Sequence, residues 1–170
     1  MIEWPRGGNM TESSGFAVPL SLALLRLTAA VFIGSVIGLN RELHHKPAGL
    51  RTHGLVALGA ASIALTGIQL SGPGDPSGVL RAVQGIITGI GFLGAGVILH
   101  PANQGNVLGL TTAASLWVVA GLGIGCGAGL WGSTLSAFGL ALLILVFGGH
   151  VERIVNRFAA ARSNVGEGSE

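Results

Sequence analysis

The apolar positions of this 170-residue chain gather into long runs broken by short polar stretches. The longest run, from Ala82 to Val151, holds seventy residues and no Asp, Glu, Lys or Arg. Water-soluble domains carry charge on about a quarter of their residues. A bilayer selects the opposite, because a charge at its centre costs roughly 2.5–3.5 kcal/mol on insertion scales. A helix crosses about 30 Å of hydrocarbon with about 20 residues, so the long run predicts three crossings joined by short turns. Five apolar segments are predicted in all: about Leu20–Asn40, Thr52–Leu70, Ala82–Leu99, Leu108–Gly125 and Leu130–Gly149. Gly72-Pro73-Gly74-Asp75-Pro76-Ser77 marks a turn between the second and third. His100-Pro101 ends the third, and the stretch GCGAGLWG requires a tight hairpin between the fourth and fifth. Four crossings with one re-entrant segment is the alternative.

The predicted fold class is all-α, a polytopic transmembrane helical bundle of about five helices. It divides into an N-terminal tail (1–19), a transmembrane domain (20–150) and a basic tail (151–170). Composition agrees: only 9% of residues are charged, and the mean hydropathy is +0.69. The net charge of +2 says less than where the charges fall. Arg41, Lys46 and Arg51 follow the first segment, and Arg153, Arg157 and Arg162 follow the last, against Arg6 and Arg81 on the other side. Basic residues favour the cytoplasmic face, so the N-terminus is expected outside and the C-terminus inside. The opening MIEWPRGGNMTESSG is not a basic leader, so the first apolar segment is expected to remain as a helix; Met10 is an alternative start. Cys126 is the single cysteine, flanked by Gly125 and Gly127, and reads as a buried, inert thiol.

Glycine accounts for thirty residues. No hydrophobic force joins apolar helices in lipid, so they pack where small residues let backbones come close. Gly34 and Gly38, Gly85 and Gly89, and Gly121, Gly125 and Gly129 are spaced four apart, and with Gly94 they are the candidate packing positions. Hinges or a pore lining are the functional alternative for some of them. Gly89-Ile90-Gly91-Phe92-Leu93-Gly94 matches the dinucleotide pattern G-x-G-x-x-G, but no acidic residue follows before Glu152. Without that residue and a preceding strand the match is a packing feature inside a span.

Chemistry-bearing residues are sparse. The densest cluster runs from Asn40 to His53 and carries Arg41, Glu42, His44, His45, Lys46, Arg51, Thr52 and His53. Anchoring at lipid headgroups suits Arg41 and Lys46. Arg51, Thr52 and His53 enter the next helix, and a partner or ligand site is the competing reading there. A metal site is not favoured, because His44 and His45 are adjacent and cannot both face one ion from a regular helix. Arg26, inside the first span, either snorkels to the headgroups or pairs within the bundle. His100 and His150 flank helix ends and read as interfacial. No H-E-x-x-H, G-x-S-x-G or C-x-x-C occurs, and nothing places Ser133 within reach of His150. No enzyme and no cofactor is expected. A cation pathway usually carries acidic residues in its spans, and these spans have none.

Three stretches, in order, resemble the membrane domain of the MgtC/SapB family. They are Ile37-Gly38-Leu39-Asn40-Arg41-Glu42 leading to Lys46-Pro47-Ala48-Gly49-Leu50-Arg51-Thr52-His53, then Gly89 through Ile98, then Gly109-Leu110-Thr111-Thr112-Ala113-Ala114-Ser115-Leu116-Trp117. The likeness covers about Leu22 to Phe147. It implies a multi-pass protein of the bacterial inner membrane, linked to adaptation to low magnesium, acid or phosphate stress and, in pathogens, to virulence. It further implies a regulator that contacts other membrane proteins, the membrane ATP synthase among them. Arg41, Glu42, Arg51, Asn106, Thr111 and Thr112 match the family's polar positions, and Thr52 joins them as a candidate functional residue. The chain departs from the family pattern at Asn40, where Glu is usual, at Leu108, where a basic residue is common, and at Gly85, where Gln is common. It resembles the short form, without the soluble C-terminal domain of longer members.

The expected function is thus a non-enzymatic membrane protein that modulates ion homeostasis through another membrane complex. Its surroundings are the lipid bilayer, with self-association as a further option and no role for nucleic acid. The alternative is a small cation or solute carrier, with Asn106, Thr111 and Thr112 lining a pore between protomers.

Overall fold

The computed structural model describes residues 18–71, 76–98 and 109–166, with side chains described as far as residue 149. Five helices make up these residues: α1 (Leu20–Leu43), α2 (Leu50–Leu70), α3 (Ser77–Ile98), α4 (Leu110–Ala128) and α5 (Trp131–Gly166). All five are long and apolar enough to cross a membrane, α5 through its Trp131–Gly149 portion. The chain is therefore an all-α bundle of five candidate membrane spans.

Two boundaries differ from the sequence expectation. Helix α3 starts at Ser77, about a turn before Ala82, because Pro76 accepts the first hydrogen bond from the Leu80 N–H at 3.0 Å. Helix α5 runs on past Gly149 as one 36-residue helix, so the basic stretch continues a helix through Gly166. The loops around Asp75 and Asn106 lie outside the described residues.

Helices α1, α2 and α4 form the centre, with α3 laid against α2 and α4 and α5 against α4 and α1. The centre is built from small side chains. Ala57, Ala60, Ala61 and Ala64 of α2 are all buried, and they meet glycines on both neighbours. A Cβ at Gly34 would stand 2.6 Å from the His53 carbonyl oxygen, and one at Gly38 would stand 2.7 Å from the Leu50 Cα. Across the other face of α2, Gly123 and Gly127 press on the backbone at Ala57 and Ala61. Dispersion between closely approaching backbones is what holds helices together in lipid, and these four glycines permit it.

The α4 glycines correct the sequence expectation. Gly121 has no heavy atom within 4 Å of where a Cβ would sit, and Gly125 faces Thr134 of α5. The register that meets α2 is Gly123 and Gly127. Gly85 and Gly89 also have nothing within 4 Å, so they pack no helix of this chain, while Gly94 lies 3.6 Å from the Ala113 Cβ. The α4–α5 hairpin is as tight as its sequence requires. Gly129 takes a left-handed φ of 74°, its N–H bonds the Cys126 carbonyl, and the Leu130 N–H bonds the Gly125 carbonyl. That pair of bonds is the Schellman closure of a helix C-terminus.

Candidate functional site

The ends of α1 and α3 and the starts of α2 and α4 meet at one end of the bundle, and buried polar side chains collect there. Arg41, in the last turn of α1, is only 5% exposed despite its charge. Its Nη2 donates to Thr112 Oγ1 at 2.6 Å, in the first turn of α4. Its Nε is buried without a partner. His53 of α2 is fully buried beside it. The ring lies 3.0 Å from the Gly49 carbonyl through Nδ1 and 3.0 Å from Ser115 Oγ through Nε2. Ser115 Oγ is also 2.7 Å from the Thr112 carbonyl.

Proton bookkeeping narrows this chain of bonds. A carbonyl only accepts, so His53 Nδ1 carries the proton that goes to Gly49. In the neutral ring Nε2 is then bare, and the Ser115 hydroxyl donates to it. In the protonated ring Nε2–H donates to Ser115, whose hydroxyl turns to the Thr112 carbonyl. Both states leave the ring and the hydroxyl satisfied, by rotation of one O–H bond. The cluster therefore ties α2 to α4 in either state, and Arg41 ties α1 to the same turn of α4.

Glu42 holds the neighbouring turn. Its Oε2 accepts the Leu50 N–H at 3.1 Å, placing a carboxylate at the N-terminus of α2, where backbone N–H groups lack helical partners and the helix dipole favours an anion. His45 and Ala48 adopt left-handed φ values of 51° and 60° in the six-residue connection. The Arg41 carbonyl closes it by accepting the N–H groups of His44 and Lys46.

The residues singled out from sequence separate accordingly. Arg41 and Thr112 are joined, and Glu42 caps the adjacent helix. Arg41 is not a headgroup anchor, since its guanidinium is turned into the bundle. Arg51, Thr52 and Thr111 are exposed on the outside, and Asn106 lies outside the described residues. His53 and Ser115 belong to the site although neither was among the candidate functional residues. Their signal in the sequence is placement alone: each is a lone polar residue one turn inside an apolar helix. At the far end Arg26 pairs within the bundle. Its Nη1 donates to the Gly127 carbonyl at 2.9 Å, setting a cation at the C-terminus of α4.

A multi-pass helical membrane protein, packed through glycine and alanine and pinned by one buried polar cluster, is the class that fold and site define. Residues 27–154 match the MgtC family, and the chain belongs to it. It is 45% identical over 115 residues to Protein SrpB of Synechococcus elongatus, covering 62% of this chain and 63% of that protein. It is 46% identical over 114 residues to Protein MgtC of Salmonella typhimurium, covering 67% of this chain and 47% of that one. Protein MgtC of Brucella abortus is 45% identical over 112 residues, 66% of this chain and 45% of its own length. The chain thus spans less than two thirds of SrpB and about half of the MgtC proteins. No solved structure matches it.

Proposed function

We propose that this protein is a non-enzymatic component of the bacterial inner membrane that modulates ion homeostasis, under low magnesium or a related stress, by contacting another membrane protein along α3. The observation that carries the reading is the outward face of α3. Gly85 and Gly89 open onto empty space there, and Gly59 of α2 does the same across a groove of about 540 Å³ lined also by Ile63, Ile86 and Leu93. Beyond the groove Phe92 is 83% exposed. Glycines four apart are costly in a helix unless a backbone comes close, and within this chain none does. A partner helix from another membrane protein supplies that backbone. The family relationship makes the membrane ATP synthase a partner worth testing first.

The bias of basic residues puts the α1–α2 turn and the end of α5 at the cytoplasmic face in this reading. The carrier alternative is less well supported, because Thr111 faces outward and Thr112 is bonded to a fixed guanidinium. A cation would be repelled at that point.

A photocrosslinking residue placed at Phe92 in native membranes tests the proposal. It is expected to capture a second membrane protein, and Gly85→Leu with Gly89→Leu should abolish that capture while leaving the purified protein folded. Recovery of self-crosslinked species alone would overturn it.

A further inference from the structure

The first turn of α4 gathers positive features and no anion. Gly109 precedes it without a side-chain cap, and the first helical bond runs from the Ala113 N–H to the Gly109 carbonyl at 2.8 Å. The N–H groups of Leu110, Thr111 and Thr112 therefore have no partner from the preceding helical turn. Into this turn points Arg41, 95% buried, bonded to Thr112 and unpartnered at Nε.

The neighbouring helix start sharpens the contrast. At α2 a carboxylate, Glu42, sits on the Leu50 N–H. At α4 the corresponding place holds a guanidinium, the wrong sign for a helix N-terminus. The C-terminus of α1, where Arg41 originates, offsets part of that charge, but the guanidinium itself lies over α4. The sequence offers nothing nearby to balance it: no Asp or Glu occurs between Asp75 and Glu152, a stretch that includes the whole α3–α4 connection and all of α4. Glu42 is engaged at α2. A buried cation without an anion is strongly disfavoured.

We propose that Arg41 and the first turn of α4 form a receptor for one phosphate-type oxoanion, carried by an anionic lipid headgroup or supplied as free inorganic phosphate. Arg41 is two residues from the end of its helix, the level at which headgroup phosphates lie. Arg41 Nε donates to one oxygen, the α4 N–H groups donate to another, and Thr112 holds the guanidinium in place between them. An oxoanion has enough acceptor sites for both sets of donors, and guanidinium–phosphate bonds are among the stronger charge-assisted hydrogen bonds. The receptor is separate from the α3 groove, so either proposal can fail without the other.

Cys126, the single cysteine and buried in the core, supplies the readout. A thiol-reactive fluorophore labels it only on unfolding. The full chain is heated in neutral detergent with phosphate titrated against chloride at constant ionic strength, and separately in nanodiscs of phosphatidylcholine with or without phosphatidylglycerol. A bound anion at ten times its half-saturating concentration should raise the midpoint by about 3–5 °C. A shift with phosphate identifies the free anion; a shift only with phosphatidylglycerol identifies the headgroup. Either shift should be lost in Arg41→Gln and need several-fold more ligand in Thr112→Val. No shift in either arm, or an equal shift in Arg41→Gln, would overturn the proposal. If Arg41→Gln does not fold, an unchanged half-saturation in Thr112→Val overturns it.

Discussion

Replacing Gly34 by Ala adds one carbon where the structure has no room for it. The new Cβ would stand 2.6 Å from the His53 carbonyl oxygen and 2.7 Å from the Ala57 Cβ. Carbon contacts settle at about 3.5–4.0 Å, so α1 and α2 must move apart by roughly an ångström over this crossing. Overpacking of that size costs about 1–3 kcal/mol. The displacement also pulls on His53, whose backbone is the surface struck, and through it on the bonds to Gly49 and Ser115. Gly121→Ala is the matched control. That position has nothing within 4 Å, so the added methyl meets no protein, and alanine in a helix interior is favoured over glycine by about 0.5–1 kcal/mol.

The two variants should therefore move in opposite directions when unfolding is followed in mixed detergent by labelling of Cys126. Gly34→Ala is expected to lose about 1–3 kcal/mol, and Gly121→Ala to hold its stability or gain slightly. Equal stability of Gly34→Ala and wild type would refute the close α1–α2 approach. A marked loss in Gly121→Ala would instead show that this face is covered.

Three further perturbations address the polar groups and the orientation. His53→Phe removes a partner from Ser115 and from the Gly49 carbonyl, and leaving buried polar groups unsatisfied costs about 1–3 kcal/mol each; the same unfolding assay should show it, with Ser115→Ala less damaging. Arg26→Leu leaves the Gly127 carbonyl without its 2.9 Å donor at the end of α4; a loss of about 1–3 kcal/mol is expected, and no loss would mean that the side chain is spending its time in the headgroups. His45→Cys, in the exposed α1–α2 turn, should react with an impermeant thiol reagent only in inverted membrane vesicles, and labelling in intact cells stripped of their outer membrane would reverse the proposed orientation.

What the sequence made legible follows from what a bilayer demands. Length and absence of charge are properties of a whole span, so all five helices could be located to within a few residues, and α3 gained its extra turn only from the local chemistry of Pro76. The packing face of α4 was a different kind of question. Glycine recurs there at 121, 123, 125, 127 and 129, so two sets spaced by four satisfy the same rule. Only the placement of α2 chooses between them, and it chooses Gly123 and Gly127. The polar cluster shows the same limit. A charged residue near a span end has two physically sound fates, outward to headgroups or inward to a partner, and their sequence signals are identical. Arg26 and Arg41 both turn inward because helix ends wait for them: carbonyls at the C-terminus of α4 for Arg26, and Thr112 in its first turn for Arg41. The first pairing is electrostatically complete and the second is not. A chain that satisfies one of its two buried cations and leaves the other short of an anion, at the same helix, is organised to hold that second end for something it does not itself contain.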